Sequence, residues 1–202
     1  SALHIYLGGD MGFCGNLNNL VKGSCNEYEK KGENVQRIIV GKKIRLYDDP
    51  SVILEMSRED YMEDHQKIID ILATGITEKK YSEIRLIYNH YRNASEIDFV
   101  DKTILPLPKG IIKETAYQDD FVWEGEPQEM LKQLLILYLT YELEIAGYVS
   151  AAAENLTRQN VTTESLKRID EIEEEKVRVE RKERKAEEFS KVLDNFTKLR
   201  NY

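Results

Sequence analysis

The chain has 202 residues, 41% of them hydrophobic and 33% charged, with a net charge of −8 at pH 7. That length suits one domain plus an extension, and the acidic balance excludes a general nucleic-acid binder. No run of about 18 apolar residues occurs, so no membrane insertion is expected, and the first residues lack the basic stretch of a signal peptide.

Residues 3–7, Leu-His-Ile-Tyr-Leu, read as a short apolar strand. It runs into a glycine-rich turn, Gly8 to Gly15, which opens a helix over 17–31 stopped by Gly32. Residues 35–40 are β-branched and apolar and predict a second strand ended by Gly41. Residues 42–47 continue it as a hairpin or a short edge strand, and Asp48-Asp49-Pro50 is a turn. One helix is expected over 57–81, with Ser57 as its cap and Asp60 at capping-box spacing. Its apolar stripe is Ile68, Ile69, Ile71, Leu72 and Ile76. Residues 84–88 and 99–105 predict two more strands, the last ended by Pro106 and Pro108. Residues 109–126 read as a loop or final edge segment anchored by Phe121, Val122 and Trp123. This alternation predicts an α/β fold: a small, mainly parallel, three-layer Rossmann-like domain over 1–125.

The rest, 126–202, reads as one very long helix. After Pro127 there is no further proline and a single glycine, Gly147. Glu124-Gly125-Glu126-Pro127 is a helix start signal, with acidic residues and proline at the N-terminus. At the helical rise the segment would measure about 110 Å, more than a domain of this size needs in order to fold. Residues 130–139 are apolar nearly all round, as in a helix buried on several sides. From Glu164 to Glu188, 18 of 25 residues are charged, ten acidic and eight basic, so this part calls for a partner or a surrounding sleeve. Phe189, Val192, Leu193, Phe196 and Leu199 recur at three- and four-residue spacing, a coiled-coil seam.

The glycine-rich turn has the strand–turn–helix form that binds phosphate. Its spacing matches neither Gly-x-Gly-x-x-Gly nor the phosphate loop, and a structural tight turn is the preferred reading. Cys14 sits where a helix N-terminus would stabilise a thiolate. The candidate bases His4, His65 and His90 lie in a strand, on a helix and past a strand, so no catalytic pair is expected. No metal-ligand spacing occurs, and neither a metal nor a cofactor is expected.

Several segments, in order, resemble the gamma subunit of F-type ATP synthases. Gly9-Asp10-Met11-Gly12-Phe13-Cys14-Gly15-Asn16-Leu17-Asn18 is similar to that family's Ser-Asp-x-Gly-Leu-Cys-Gly-Gly-Leu-Asn. Val40-Gly41-Lys42-Lys43, Leu86 to Tyr91, and Leu105-Pro106-Leu107 resemble its later strand ends. Ser150 to Arg158 resembles Ser-x-Ala-Ser-Glu-x-x-x-Arg, which places Glu154 and Arg158 on the family's Glu and Arg. Arg184 and Ala186 fall on the Arg and Ala of its Arg-Gln-Ala-x-Ile-Thr motif, with Lys185 replacing Gln and Glu188-Phe189 replacing Ile-Thr. The methionine-containing small-residue motifs that follow the family's Arg are absent. The family also carries a long helix ahead of the first strand, which these 202 residues do not include, so a divergent gamma subunit is expected.

The resemblance implies a non-catalytic central rotor that transmits torque. Its partners would be alpha- and beta-like catalytic ring subunits, an epsilon-like small stalk subunit and a membrane rotor ring. It would sit peripherally on the cytoplasmic face of a membrane. Glu154, Arg158, Arg184, Lys185 and Phe189 are the candidate subunit contacts. Gly9, Asp10, Gly12, Cys14, Gly15 and Asn18 form the structural turn. Two other readings of the residues are a small nucleotide- or phosphate-binding domain with a coiled-coil oligomerisation arm, and an adaptor that presents such an arm.

Overall fold

A computed structural model describes residues 1–30, 34–46, 48–107 and 125–200. Strands β1 (Ala2–Leu7), β2 (Val35–Val40), β3 (Val52–Met56) and β4 (Glu83–Asn93) are parallel. Strand β5 (Glu96–Leu105) runs antiparallel to β4. The sheet order is β3-β2-β1-β4-β5. The helices are α1 (Leu17–Lys30), α2 (Arg58–Glu63), α3 (Gln66–Thr77) and α4 (Pro127–Arg200).

Side chains alternate across a strand, so β1 feeds two cores. Leu3, Ile5 and Leu7 face one side, with Ile38, Ile84 and Leu86. Ile68 and Leu72 of α3 and Leu139, Leu143 and Ala146 of α4 cover them. Tyr6, Ile39 and Ile87 face the other side, under Val21 and Cys25 of α1. Each fully buried large aliphatic side chain contributes about 1.5–3 kcal/mol, and this two-sided burial holds β1 at the centre.

The α1 side also holds a polar network. Arg37 Nη1 donates to Asp49 Oδ2 at 2.8 Å and to Ser51 Oγ at 2.6 Å. The Tyr28 hydroxyl donates to Asp101 Oδ2 at 2.9 Å, and Arg85 Nε donates to Asp101 Oδ1 at 2.8 Å. His4 lies between these groups, 3.2 Å from the Tyr6 hydroxyl through Nδ1 and edge-on to the Tyr28 ring. Burial, and then the nearby Arg85 charge, hold its pKa down at about 4.

Three elements differ from the sequence expectation. Residues 42–47 form no strand among those described; Lys42–Ile44 is a turn of 3₁₀ helix, and the edge strand is β3. Only three consecutive apolar residues mark β3, and pairing with β2 makes it a strand. The single helix expected over 57–81 is two helices. The Ser57–Asp60 capping box is present. The break comes where the Asp64 carboxylate accepts from the Gln66 N–H at 2.8 Å, a local bond that competes with the helix ladder. Finally, β4 and β5 are longer than expected and form an antiparallel hairpin, so the sheet is mixed. Of the segment expected over 109–126, all but Gly125 and Glu126 lies outside the described residues, as do Gly32 and Pro108.

Two compact units result, Ser1–Arg158 and Gln159–Tyr202, where the sequence placed the division at 125/126. The first unit includes α4 through Arg158, because Leu139, Leu143, Ala146 and Ala153 are buried there. In the second unit, every described side chain from Thr162 to Thr197 is exposed. Contrary to expectation, α4 contains a stretch long and apolar enough, by length and composition, to cross a membrane. Part of its apolar character serves helix-on-sheet packing, through Leu139, Leu143 and Ala146.

Candidate functional site

The turn that follows β1 collects three segments far apart in sequence. Gly41, at the end of β2, has φ +116° and approaches Gly8 so closely that a Cβ would lie 2.7 Å from the Gly8 carbonyl carbon. The Gly8 N–H donates to Val40 O at 2.8 Å, and the Lys43 N–H donates to Gly9 O at 3.0 Å. From α4, 143 residues away, Glu154 Oε1 accepts from the Met11 N–H at 2.8 Å.

A phosphate cradle needs unused N–H groups and an open approach. Here the Gly9 N–H is taken by Asn18 Oδ1 at 2.8 Å and the Met11 N–H by Glu154. A side chain at Gly9 would overlap the Glu154 carboxylate, so it could be accommodated only by moving that carboxylate away from the Met11 N–H. Asp10 Oδ1 accepts from the Lys42 N–H at 2.7 Å and the Arg58 N–H at 3.1 Å. Burial raises the Asp10 pKa, but these N–H donors and that of Glu59 outweigh it and hold the carboxyl below its usual range. The anion in this cradle is therefore the chain's own Glu154.

Arg58 completes the arrangement. Its Nε donates to Gly8 O at 2.9 Å, and Nη2 donates to Gly8 O and to Ser150 Oγ, the latter at 2.7 Å. Nη1 reaches Gly147 O at 3.4 Å, and Nε lies 3.3 Å from Glu154 Oε2. Arg58 is 8% exposed and Glu154 3%. Burial pulls the arginine pKa down, while Glu154 and Asp10 pull it up. Sequence reasoning missed Arg58. The available signal was a basic residue in the first turn of a helix, where the macrodipole disfavours it.

Cys14 is buried, with its thiol aimed at Gly12 O (3.3 Å), Met11 O (3.5 Å) and Glu154 Oε1 (3.9 Å). Burial, then the Glu154 charge, push its pKa up, the opposite of an activated nucleophile. Gly15 takes φ +55°, and Gly12 has open space around it. Of the contacts expected from sequence, Glu154 spends its carboxylate inside the chain. Arg158, Arg184, Lys185 and Phe189 are exposed, the last three in the second unit. Among the described residues no group of three His, Cys, Asp or Glu could hold a metal ion.

A family model described as ATP synthase matches residues 1–187. The ATP synthase gamma chain of a Nitratiruptor species is 31% identical over 168 residues, covering 76% of this chain and 56% of that protein. The gamma chain of Clostridium pasteurianum is 23% identical over 177 residues, covering 84% and 62%. The chain thus spans about three-fifths of the length of these curated relatives. The fold is shared with a chain of the Tetrahymena thermophila mitochondrial ATP synthase central stalk and c-ring structure. There the TM-score is 0.60 at 17% identity, covering 82% of this chain and 76% of that one. A chain of the Euglena gracilis mitochondrial ATP synthase gives 0.63 at 14%, covering 98% and 72%.

Proposed function

Because this chain belongs to the gamma-chain family of ATP synthases, matched over residues 1–187, we propose that it is a central rotor subunit. It is non-catalytic and transmits torque between a nucleotide-binding ring and the partner coupled to that ring. Its partners are alpha- and beta-like ring subunits, an epsilon-like stalk subunit and a membrane rotor ring, at the cytoplasmic face of a membrane. One observation carries the reading: the position where this fold binds phosphate is filled by Glu154 of α4. The turn fastens a helix, and two of its N–H groups, those of Gly9 and Met11, are already taken by Asn18 and Glu154. Arg158, Arg184, Lys185 and Phe189 are the contacts we assign to the ring, since all four are exposed.

Affinity purification of the tagged full-length protein from its native source tests this. It is expected to bring down a much larger nucleotide-binding assembly, and the isolated chain is expected to hydrolyse no ATP. Recovery as a lone monomer would overturn the reading. A thermal-shift titration with ATP or inorganic phosphate is expected to leave Tm unchanged. A clear rise would instead favour the phosphate-binding alternative.

A further inference from the structure

We propose that Arg58 and Glu154 form a clasp that fixes the rotational register of α4 on the sheet, so that torque passes between helix and α/β body through directional bonds. The proposal rests on the rotor reading above and names the residues that carry the load within this chain.

Four groups on α4 lie along one stripe at helical spacing: Leu143 O, Gly147 O, Ser150 Oγ and the Glu154 carboxylate. All four are held from outside the helix. The Tyr61 hydroxyl donates to Leu143 O at 2.7 Å. Arg58 serves Gly147, Ser150 and Glu154, and the Met11 N–H takes the other oxygen of Glu154. Arg58 and Tyr61 sit three residues apart on α2, which is only six residues long, so they share a face. The Arg58 N–H is tied to Asp10, and its guanidinium to Gly8, so α2 is pinned to the end of β1.

Apolar packing alone would resist torque poorly here. Beyond Leu143, the buried α4 residues are Ala146, Gly147, Ser150, Ala153 and Glu154, which offer small side chains apart from the glutamate, with Val149 only partly buried against the core. Hydrophobic contact is non-directional, and a smooth small-residue face can slide or turn with little loss of buried area. Hydrogen bonds lose strength steeply with angle, and a one-residue rotation of α4 would break every bond in the stripe. In this reading Arg58 and Glu154 are positioning residues that act through α4 and touch no nucleotide.

The test compares wild type with Arg58→Met, Arg58→Lys and Glu154→Gln in the full-length chain. Hydrogen exchange on the isolated chain is read over 139–156 of α4. Separately, the ratio of ions translocated to ATP hydrolysed is read in membrane vesicles carrying the assembled complex. Arg58→Met is expected to speed exchange over 139–156 by about tenfold or more, because a broken buried ion pair lowers the cost of local opening. The same variant is expected to keep ATP hydrolysis while losing coupled transport, with Arg58→Lys and Glu154→Gln intermediate. A variant that merely fails to assemble lowers both activities and leaves their ratio unchanged. Unchanged exchange in Arg58→Met overturns the clasp whatever the chain assembles with. Faster exchange with an unchanged ratio overturns its role in torque. If the wild-type chain enters no nucleotide-binding complex, the rotor reading falls, and the torque role with it.

Discussion

Gly147 is the only glycine in α4, and replacing it with alanine sets two effects of opposite sign against each other. Helix propensity favours the change by about 0.5–1 kcal/mol. The structure opposes it, because a Cβ at 147 would lie 2.7 Å from Tyr61 Cε1 and 3.4 Å from Met62 Sδ. The Tyr61 ring cannot step aside cheaply: it is 2% exposed, and its hydroxyl is bonded to Leu143 O of the same helix. Overpacking a rigid site costs about 1–3 kcal/mol, and freeing a buried hydroxyl from its acceptor costs about 1–3 kcal/mol more. Gly147→Ala is therefore expected to destabilise the first unit by about 1–5 kcal/mol net. Urea unfolding of the full chain, followed by the near-ultraviolet circular dichroism of its tyrosines, measures this. In a Tyr61→Leu background the same substitution should become neutral or mildly stabilising. A Gly147→Ala chain as stable as wild type would show that the ring is not held, and the argument from close approach would fail.

Three further outcomes are expected. Arg58→Met should cost about 3–5 kcal/mol, because it strands Glu154 without its cation. The Arg58→Met, Glu154→Met double variant should cost clearly less than the two single changes together, and strict additivity in urea titrations would deny the pairing. His4 folds neutral with a pKa of about 4 against 6.5 unfolded, so its contribution is full above pH 6.5 and is lost as pH falls toward 4. That slope is worth up to about 3 kcal/mol, and a His4→Asn chain should show a flatter stability profile between those pH values; an unaltered profile refutes the assignment. Gly9→Ala should destabilise by about 1–3 kcal/mol, because its methyl meets the Glu154 carboxylate. A thermal melt no lower than wild type would count against the self-filled cradle.

The parts legible in the sequence were those set by local chemistry. The apolar runs at 3–7, 35–40 and 84–88 announced three parallel strands, and the Ser57–Asp60 box announced the start of α2. Pro127 followed by an unbroken helical stretch announced α4. Each signal is complete within a few residues, so no distant contact was needed to read it. The motifs shared with the gamma-chain family were visible too, and the family model matches residues 1–187.

What the glycine turn does was decided only in three dimensions. Gly9, Met11, Arg58, Gly147, Ser150 and Glu154 give no hint in sequence that they meet. As a string, the turn looked like a phosphate site or a bare structural turn, and Glu154 looked like a surface contact. The sheet brings the end of β1 beneath α4, and a carboxylate 143 residues away takes the Met11 N–H. Likewise β3, with its few apolar residues, is a strand because β2 offers it an edge. Local propensity sets which elements form, while buried polar groups find partners only when the fold closes around them, and that closure turned an anion-binding turn into the anchor of a helix.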